Sequence, residues 1–401
     1  MPHMRKRFAA AMIQKSLTHS GIVGLFGQRQ VGKTTLLESF SEDYKTFDDP
    51  KELALAMENP ELFIQQKKAP FGIDEAQHCP PLFPALKEYM RTHKAPGKFL
   101  LSGSVRFTSR KAIRESLTGR IVGVEILPFT IAEAHDRPMP RMLSKMSGDS
   151  SEQSIVDHLE KNKTTKKEFE SHLVTGGLPG ICFFRDKSVR EQRFEFQVDT
   201  ILTRDYQLVH ETTLTKKALK SLLTFLAIHQ GETIQLKEAG AYSQISQVTL
   251  KKVLNAFESL FLIREVPTHP QSGEAKGVYL LEDQGMATWL SEGYLRSEES
   301  RIIAGLYANL RQELFYSMGD LKNITCYRTK NGVNVPLIFG MNKKWIGIIP
   351  SADKTPSPKA YAAAESFVKA VPNSIAVLVC EDPRVKVFNR RFIQSPYWKL
   401  C

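Results

Sequence analysis

Eight consecutive residues, Gly27-Gln28-Arg29-Gln30-Val31-Gly32-Lys33-Thr34, restrict what this chain can fold into more than the rest of its sequence does. They follow a short apolar run, Ile22 to Gly27, and open a helical pattern, Thr34 to Phe40. An octet of the form G-x-x-x-x-G-K-[ST] between a strand and a helix is suited to wrapping a phosphate. The glycines let successive backbone N–H groups converge on the anion, and the helix that follows adds the partial positive charge of its N-terminus. Gly27, Gln28, Arg29, Gln30, Val31, Gly32, Lys33, Thr34 and Thr35 are therefore the expected nucleotide-binding set. Lys33 is expected at the β and γ phosphates, and the Thr34 hydroxyl on a magnesium ion.

A second motif makes the pair specific. Phe71-Gly72-Ile73-Asp74-Glu75 is an apolar strand that ends in two carboxylates. In such a site the Asp holds the metal, directly or through water, and an adjacent Glu polarises the water that attacks the γ-phosphate. Asp74 and Thr34 are thus the expected metal residues, and Glu75 the expected catalytic base beside Lys33. Leu101-Ser102-Gly103-Ser104 would present hydroxyls at the same sheet edge, and Ser102 is the one placed to orient water or sense the γ-phosphate, with a structural turn as the alternative. Arg120, after Leu117-Thr118-Gly119, could stabilise the transferring phosphoryl group from its own or a neighbouring subunit, or else anchor the start of a strand through a salt bridge. Guanine is disfavoured, since Asn162-Lys163-Thr164-Thr165 lacks the carboxylate of an N-K-x-D base reader, and ATP is the expected ligand.

Around these motifs, apolar runs alternate with helical patterns from Gly21 to Glu133, as in a doubly wound parallel α/β sheet. The expected strands are Ile22 to Gly27, Tyr44 to Asp48, Pro70 to Asp74, Lys98 to Ser102 and Ile121 to Leu127, with helices over Thr34 to Phe40, Glu52 to Gln66 and Leu82 to Thr92. At 401 residues the chain exceeds one ordinary core. The expected division is an ATPase domain over 1–137, a linker with a short amphipathic helix over 138–168, a helical region over 169–299 and a small α/β unit over 300–401. Within the helical region, Ala218 to His229, Leu236 to Ala241 and Gln247 to Leu260 precede strands Phe261 to Val266 and Val278 to Leu281, the order of a winged helix-turn-helix. The last unit reads helix (Ile302 to Met318), three strands (Asn323 to Arg328, Val333 to Phe339, Trp345 to Pro350), helix (Pro358 to Val371) and strand (Ser374 to Val379).

A net charge of +12 is compatible with nucleic acid or another anionic surface without locating a site. Cys79, Cys182, Cys326, Cys380 and Cys401 form no C-x-x-C pair, and Gln14, Lys15 and Ser16 interrupt the basic N-terminus before a membrane-spanning or signal length is reached. A cytoplasmic protein without a membrane partner is expected.

These residues resemble prokaryotic AAA-type ATPases whose C-terminal half is catalogued as a domain of unknown function. The resemblance rests on the octet with Thr35-Leu36, Phe47-Asp48-Asp49-Pro50, Ile73-Asp74-Glu75-Ala76-Gln77, Leu100-Leu101-Ser102-Gly103-Ser104, Leu117-Thr118-Gly119-Arg120, Leu127-Pro128-Phe129, Gly176-Gly177-Leu178-Pro179 and Arg204-Asp205. It implies an ASCE-type sheet with the catalytic Glu on its metal-binding strand, then a winged helix, then a domain similar to restriction-endonuclease folds. In the last domain the sequence departs from that pattern. Asn334-Val335-Pro336 stands where related chains tend to show Glu-Val-Asp, and Ile349-Pro350-Ser351 where they show acid-x-Lys. Ala308 falls where a helix Glu would lie, with Glu313 able to substitute if the register slips, so a degenerate domain that is not a nuclease is expected. The chain then reads as a hydrolase in which ATP turnover drives or resets the C-terminal domains. The alternative is a slow ATP-gated switch that binds DNA or a protein partner through the winged helix. A homo-oligomer is compatible with either and would let Arg120 act in trans.

Overall fold

In the computed structural model, which describes residues 5–65, 67–106, 119–274, 276–294, 297–319 and 321–401, the first five strands form one parallel sheet. They are β1 (Ile22–Phe26), β2 (Asp43–Thr46), β3 (Phe71–Asp74), β4 (Phe99–Gly103) and β5 (Ile121–Glu125), in the spatial order β2-β3-β4-β1-β5. Pairing of Ile22 with both Phe99 and Ile121, and of Phe71 with Phe99, starts the strands at one level and brings their carboxyl ends to one edge. β3 and β4 are buried throughout, as a sheet covered on both faces requires. The helix expected over Glu52 to Gln66 is two helices, Pro50–Glu58 and Pro60–Ile64, because Pro60 has no N–H to continue the first and Asn59 caps the second through the Leu62 amide at 2.9 Å. Leu117 and Thr118 lie outside the described residues.

The helices Lys187–Thr200, Lys216–Ile228, Leu236–Ser243 and Gln247–Ser259 follow, and the hairpin β6 (Ile263–Val266) and β7 (Val278–Leu281) pairs antiparallel. One apolar core runs from Val23, Leu25 and Val31 of the first sheet through Leu178, Ile181 and Val198 to Leu222 and Phe257. The helical block therefore packs directly on the phosphate loop instead of hanging from a tether. Residues expected to be a linker form helices Met142–Ser147 and Glu152–Lys161. Met142, Leu143, Met146, Ile155 and Leu159 recur at helical spacing, and they are buried against Ile303, Leu306 and Leu310 of the long helix Glu298–Met318.

The C-terminal unit is a six-stranded mixed sheet: β8 (Ile324–Arg328), β9 (Asn334–Met341), β10 (Lys344–Pro350), β11 (Ser374–Cys380), β12 (Lys386–Asn389) and β13 (Phe392–Pro396), in the order β12-β13-β11-β10-β9-β8. The last two strands were not expected: β12 is short, half-exposed and without apolar alternation, and β13 is buried but only five residues long and ends in Gln394-Ser395-Pro396. The loop between β6 and β7 lies along the β8 edge. The His269 amide donates to Cys326 O at 2.7 Å, the Cys326 amide to Pro267 O at 2.9 Å and the Gly273 amide to Arg328 O at 2.8 Å. That loop seals an open sheet edge and joins the hairpin to the C-terminal sheet.

Candidate nucleotide site

The octet turns where the chain leaves β1 and enters helix Lys33–Phe40. Gly32 has φ +94°, in the region that glycine tolerates, and Gln30 has φ +62°. At Gly27 the constraint is space, because a Cβ there would stand 2.4 Å from the carbonyl oxygen of Ile126. Lys33 is buried, and its ammonium donates to the loop's own carbonyls at Gly27 and Gln28, both at 3.0 Å. Burial lowers its pKa from the ordinary lysine value, and the charges of Glu75 and Asp74 offset part of that.

β4 lies between β1 and β3 and carries Ser102 to the Asp-Glu pair. Asp74 is the hub. It accepts from the Thr34 hydroxyl at 2.7 Å, the Tyr44 hydroxyl at 3.2 Å, and the Ser102 hydroxyl. Burial, then the charge of Asp74, pushes the Tyr44 phenol above its ordinary pKa, which keeps it a donor. The Glu75 amide donates to Ser102 Oγ at 3.1 Å, and its backbone at φ +52° turns the carboxylate off the strand. That carboxylate accepts from Gln77 Nε2 and, at 3.5 Å, from the Ser104 hydroxyl. The Thr34 hydroxyl beside the buried Asp74 carboxylate is an oxygen-only donor set, which fits a hard cation such as magnesium.

Lys33, Thr34, Asp74, Glu75 and Ser102 thus meet at the carboxyl edge, whereas Arg120 does not join them. It precedes Ile121, whose partner is Ile22, so Arg120 lies at the amino edge, about 16 Å of strand away at ~3.3 Å per residue. It cannot act on its own chain's site in this arrangement. Thr35 is exposed on the first turn of the helix.

Several residues that sequence reasoning left without a role also bear on the loop. Arg7 donates to Val31 O at 2.8 Å and Leu127 O at 2.5 Å, pairs with buried Glu133 at 3.1 Å, and lies over the Phe129 ring at 4.5 Å. From the helical block, Asp205 pairs with Arg29 at 2.6 Å, and Gln197 donates to Arg29 O at 3.0 Å. Beside them, Arg204 reaches His78 Nε2 at 3.2 Å and Asp48 at 3.9 Å. Gly177 packs so closely on Phe129 that a Cβ would meet its carbonyl oxygen at 2.2 Å. The Phe47-Asp48, Leu127-Pro128-Phe129, Gly176-Gly177 and Arg204-Asp205 tokens mark residues of these contacts without a role; Arg7 and Gln197 gave no signal.

In the C-terminal unit, Glu313 accepts from the Leu143 and Ser144 amides at 3.0 and 2.7 Å, capping helix Met142–Ser147, and Asn334 accepts from Arg328 at 3.0 Å. A cleft of about 740 Å³ is lined by Asn334, Pro336, Ile349 and Pro350, and Glu313 does not face it. Among the described residues no three His, Cys, Asp or Glu side chains gather as a metal group, and no helix is long and apolar enough to cross a membrane.

A parallel sheet of order β2-β3-β4-β1-β5, with the phosphate loop after β1 and the Asp-Glu pair after β3, defines a P-loop nucleoside-triphosphatase fold. Residues 19–135 match the AAA domain family, and residues 166–291 match a domain of unknown function (DUF8612). The chain carries an AAA-type P-loop domain followed by that second domain, as the resemblance implied. Uncharacterised proteins of Mycobacterium bovis and Mycobacterium tuberculosis are each 26% identical to it over 266 residues, 66% of this chain and 53% of theirs. The matched part therefore spans about half the length of those relatives. Among solved structures, a signal transduction ATPase with numerous domains from Pyrococcus horikoshii, with a tetratricopeptide repeat sensor, is 14% identical at a TM-score of 0.29, covering 80% of this chain and 48% of its own. The replication initiator DnaA bound to AMPPCP and single-stranded DNA is 14% identical at 0.26, covering 62% and 86%. The Aeropyrum pernix ORC1 protein in complex with DNA is 13% identical at 0.25, covering 71% and 91%. Likeness at those scores is weak.

Proposed function

We propose that this protein binds Mg-ATP at the octet and hydrolyses it to ADP and phosphate, using the energy to drive or reset its C-terminal domains. The observation that carries the reading is the convergence of Lys33, Thr34, Asp74 and Glu75 on one strand edge, with Ser102 holding Asp74 from the strand between. The loop amides and Lys33 bind the phosphates, and Glu75 accepts the proton of the attacking water at its carboxylate. Thr34 and Asp74 would hold the magnesium ion, which neutralises phosphate charge when bound. Gln77 and Ser104 fix the Glu75 carboxylate in the absence of substrate. If Arg120 acts on a phosphoryl group, it does so on a neighbouring copy of the chain in a homo-oligomer. Five unpaired thiols support a reducing, cytoplasmic setting. Lys33→Ala should abolish or greatly weaken Mg-ATP binding in a fluorescent-nucleotide titration, and wild-type affinity in that variant would sink the assignment.

One observation favours a second reading, an ATP-gated switch that contacts duplex DNA through a winged helix. The outer face of helix Gln247–Ser259 exposes Gln247, Val248, Lys251, Lys252 and Asn255. Its β6-β7 loop is taken up by the C-terminal sheet, so phosphate contacts would come from this face alone. Binding should then fall by orders of magnitude between about 50 and 200 mM salt. No binding at low salt leaves a protein partner as the load. The C-terminal unit acts as a binding or structural domain and not as a nuclease, so duplex DNA incubated with magnesium or manganese should stay intact.

A further inference from the structure

The third residue of the phosphate loop is held from outside its own domain. Arg29 gives Nε to Asp205 Oδ2 at 2.6 Å and Nη2 to Asp205 Oδ1 at 3.3 Å, a two-point pair whose acid is only 2% exposed. The carbonyl of the same residue accepts from Gln197 Nε2 at 3.0 Å, and Gln197 is 1% exposed. Both ends of Arg29 are therefore fixed by one element, helix Lys187–Thr200 and the π-helical turn Ile201–Asp205 that continues it.

The turn explains how two residues eight apart can reach one target. In a regular helix eight steps of ~100° leave Gln197 and Asp205 about 80° off a common face. One extra residue in a π turn removes a step and leaves them about 20° apart. Wide turns of this kind weaken a helix and persist where a contact needs them. The neighbouring loop closes the same side, since a Cβ on Gly180 would stand 3.0 Å from Gln30 Oε1.

We propose that Asp205 is a positioning residue for the phosphate loop, so that nucleotide in the loop and docking of residues 187–205 on it stabilise one another. Such coupling is reciprocal: whatever the docked helix contributes to nucleotide affinity, bound nucleotide returns to the docking. A pair that merely glued the interface would change stability and leave the affinity of the folded protein alone.

The proposal rests on the nucleotide reading above, and hydrogen exchange separates the two. With magnesium and a non-hydrolysable ATP analogue, amides of residues 27–35 and of 197–209 should both slow in the wild-type protein. Asp205→Asn should weaken analogue binding at least tenfold and raise KM for ATP while kcat changes less than threefold, with Asp205→Glu recovering part of the loss. Protection at 27–35 without any at 197–209 in the wild type overturns the coupling even if the variant fails to fold. Wild-type affinity in Asp205→Asn overturns it as well. No protection at 27–35 would sink the nucleotide reading, and this proposal with it.

Discussion

At the scale of single residues, the proposed site separates into groups placed to meet nucleotide and groups that hold them. On the proposed function, Glu75 is the residue whose chemistry decides between hydrolysis and simple binding, because its carboxylate can accept a proton and its amide counterpart cannot. Glu75→Gln should keep ATP binding and lower turnover by about 10²- to 10⁴-fold, read in a phosphate-release assay; unchanged turnover would return Glu75 to a structural part. Gly177 is constrained by space instead of chemistry. A Cβ there meets the backbone oxygen and nitrogen of Phe129 at 2.2 and 2.7 Å, so Gly177→Ala should cost about 1–3 kcal/mol in chemical denaturation. Gly27, Lys33, Asp74 and Glu75 could be found in the sequence because their chemistry is written into contiguous motifs. Arg7 and Gln197 stand in no such motif, and Asp205 appeared only as part of the Arg204-Asp205 pair with no partner named, because their contacts with the loop are made by the fold 24, 168 and 176 residues away.

At the scale of elements, β1, β3 and β4 are legible because buried parallel strands are continuous apolar runs between helices, whereas β2, Asp43–Thr46, is a half-buried polar edge strand and begins and ends earlier than the expected Tyr44 to Asp48. The helix pair at Asn59-Pro60 shows where pattern alone misleads, since apolar periodicity continues across a residue that must break the hydrogen-bond ladder. The segment 142–161 was harder for another reason. Its polar composition suggested a linker, whereas its few apolar residues suffice once the long helix Glu298–Met318 offers them a face. Helix Lys166–Thr175 carries a pH-sensitive element. Burial, with the nearby charges of His135 and Arg311, pushes buried His172 down to about 4. The unfolded imidazole titrates near ~6.5, so between the two values only the unfolded chain takes the proton. Stability should therefore be full above about pH 6.5 and fall as pH drops towards 4, by at most about 3 kcal/mol from this group. Denaturation of wild type and His172→Gln at pH 7 and pH 5 checks it, and a variant with the same pH dependence would contradict it.

At the scale of the whole molecule, the three units are joined by a chain of charges. Arg106 pairs with Glu125 at 3.2 Å, Arg264 links Glu125 to Glu282, and Glu282 holds fully buried Arg311 of helix Glu298–Met318. Without Arg311, Glu282 keeps Arg264 alone and its carbonyl loses a buried donor, so Arg311→Met should destabilise the fold by about 1–3 kcal/mol in thermal or chemical denaturation. The β6-β7 loop on the C-terminal sheet adds a second joint, and Asp205 on Arg29 a third. The phosphate loop is thereby built into a molecule whose other parts can feel it. The measurement closest to the central claim is steady-state ATP hydrolysis with magnesium by wild type, Lys33→Ala and Glu75→Gln, purified side by side. Turnover is expected in the wild type alone, with nucleotide still bound by Glu75→Gln. Equal turnover in all three, or none in a wild type that binds Mg-ATP, would contradict it.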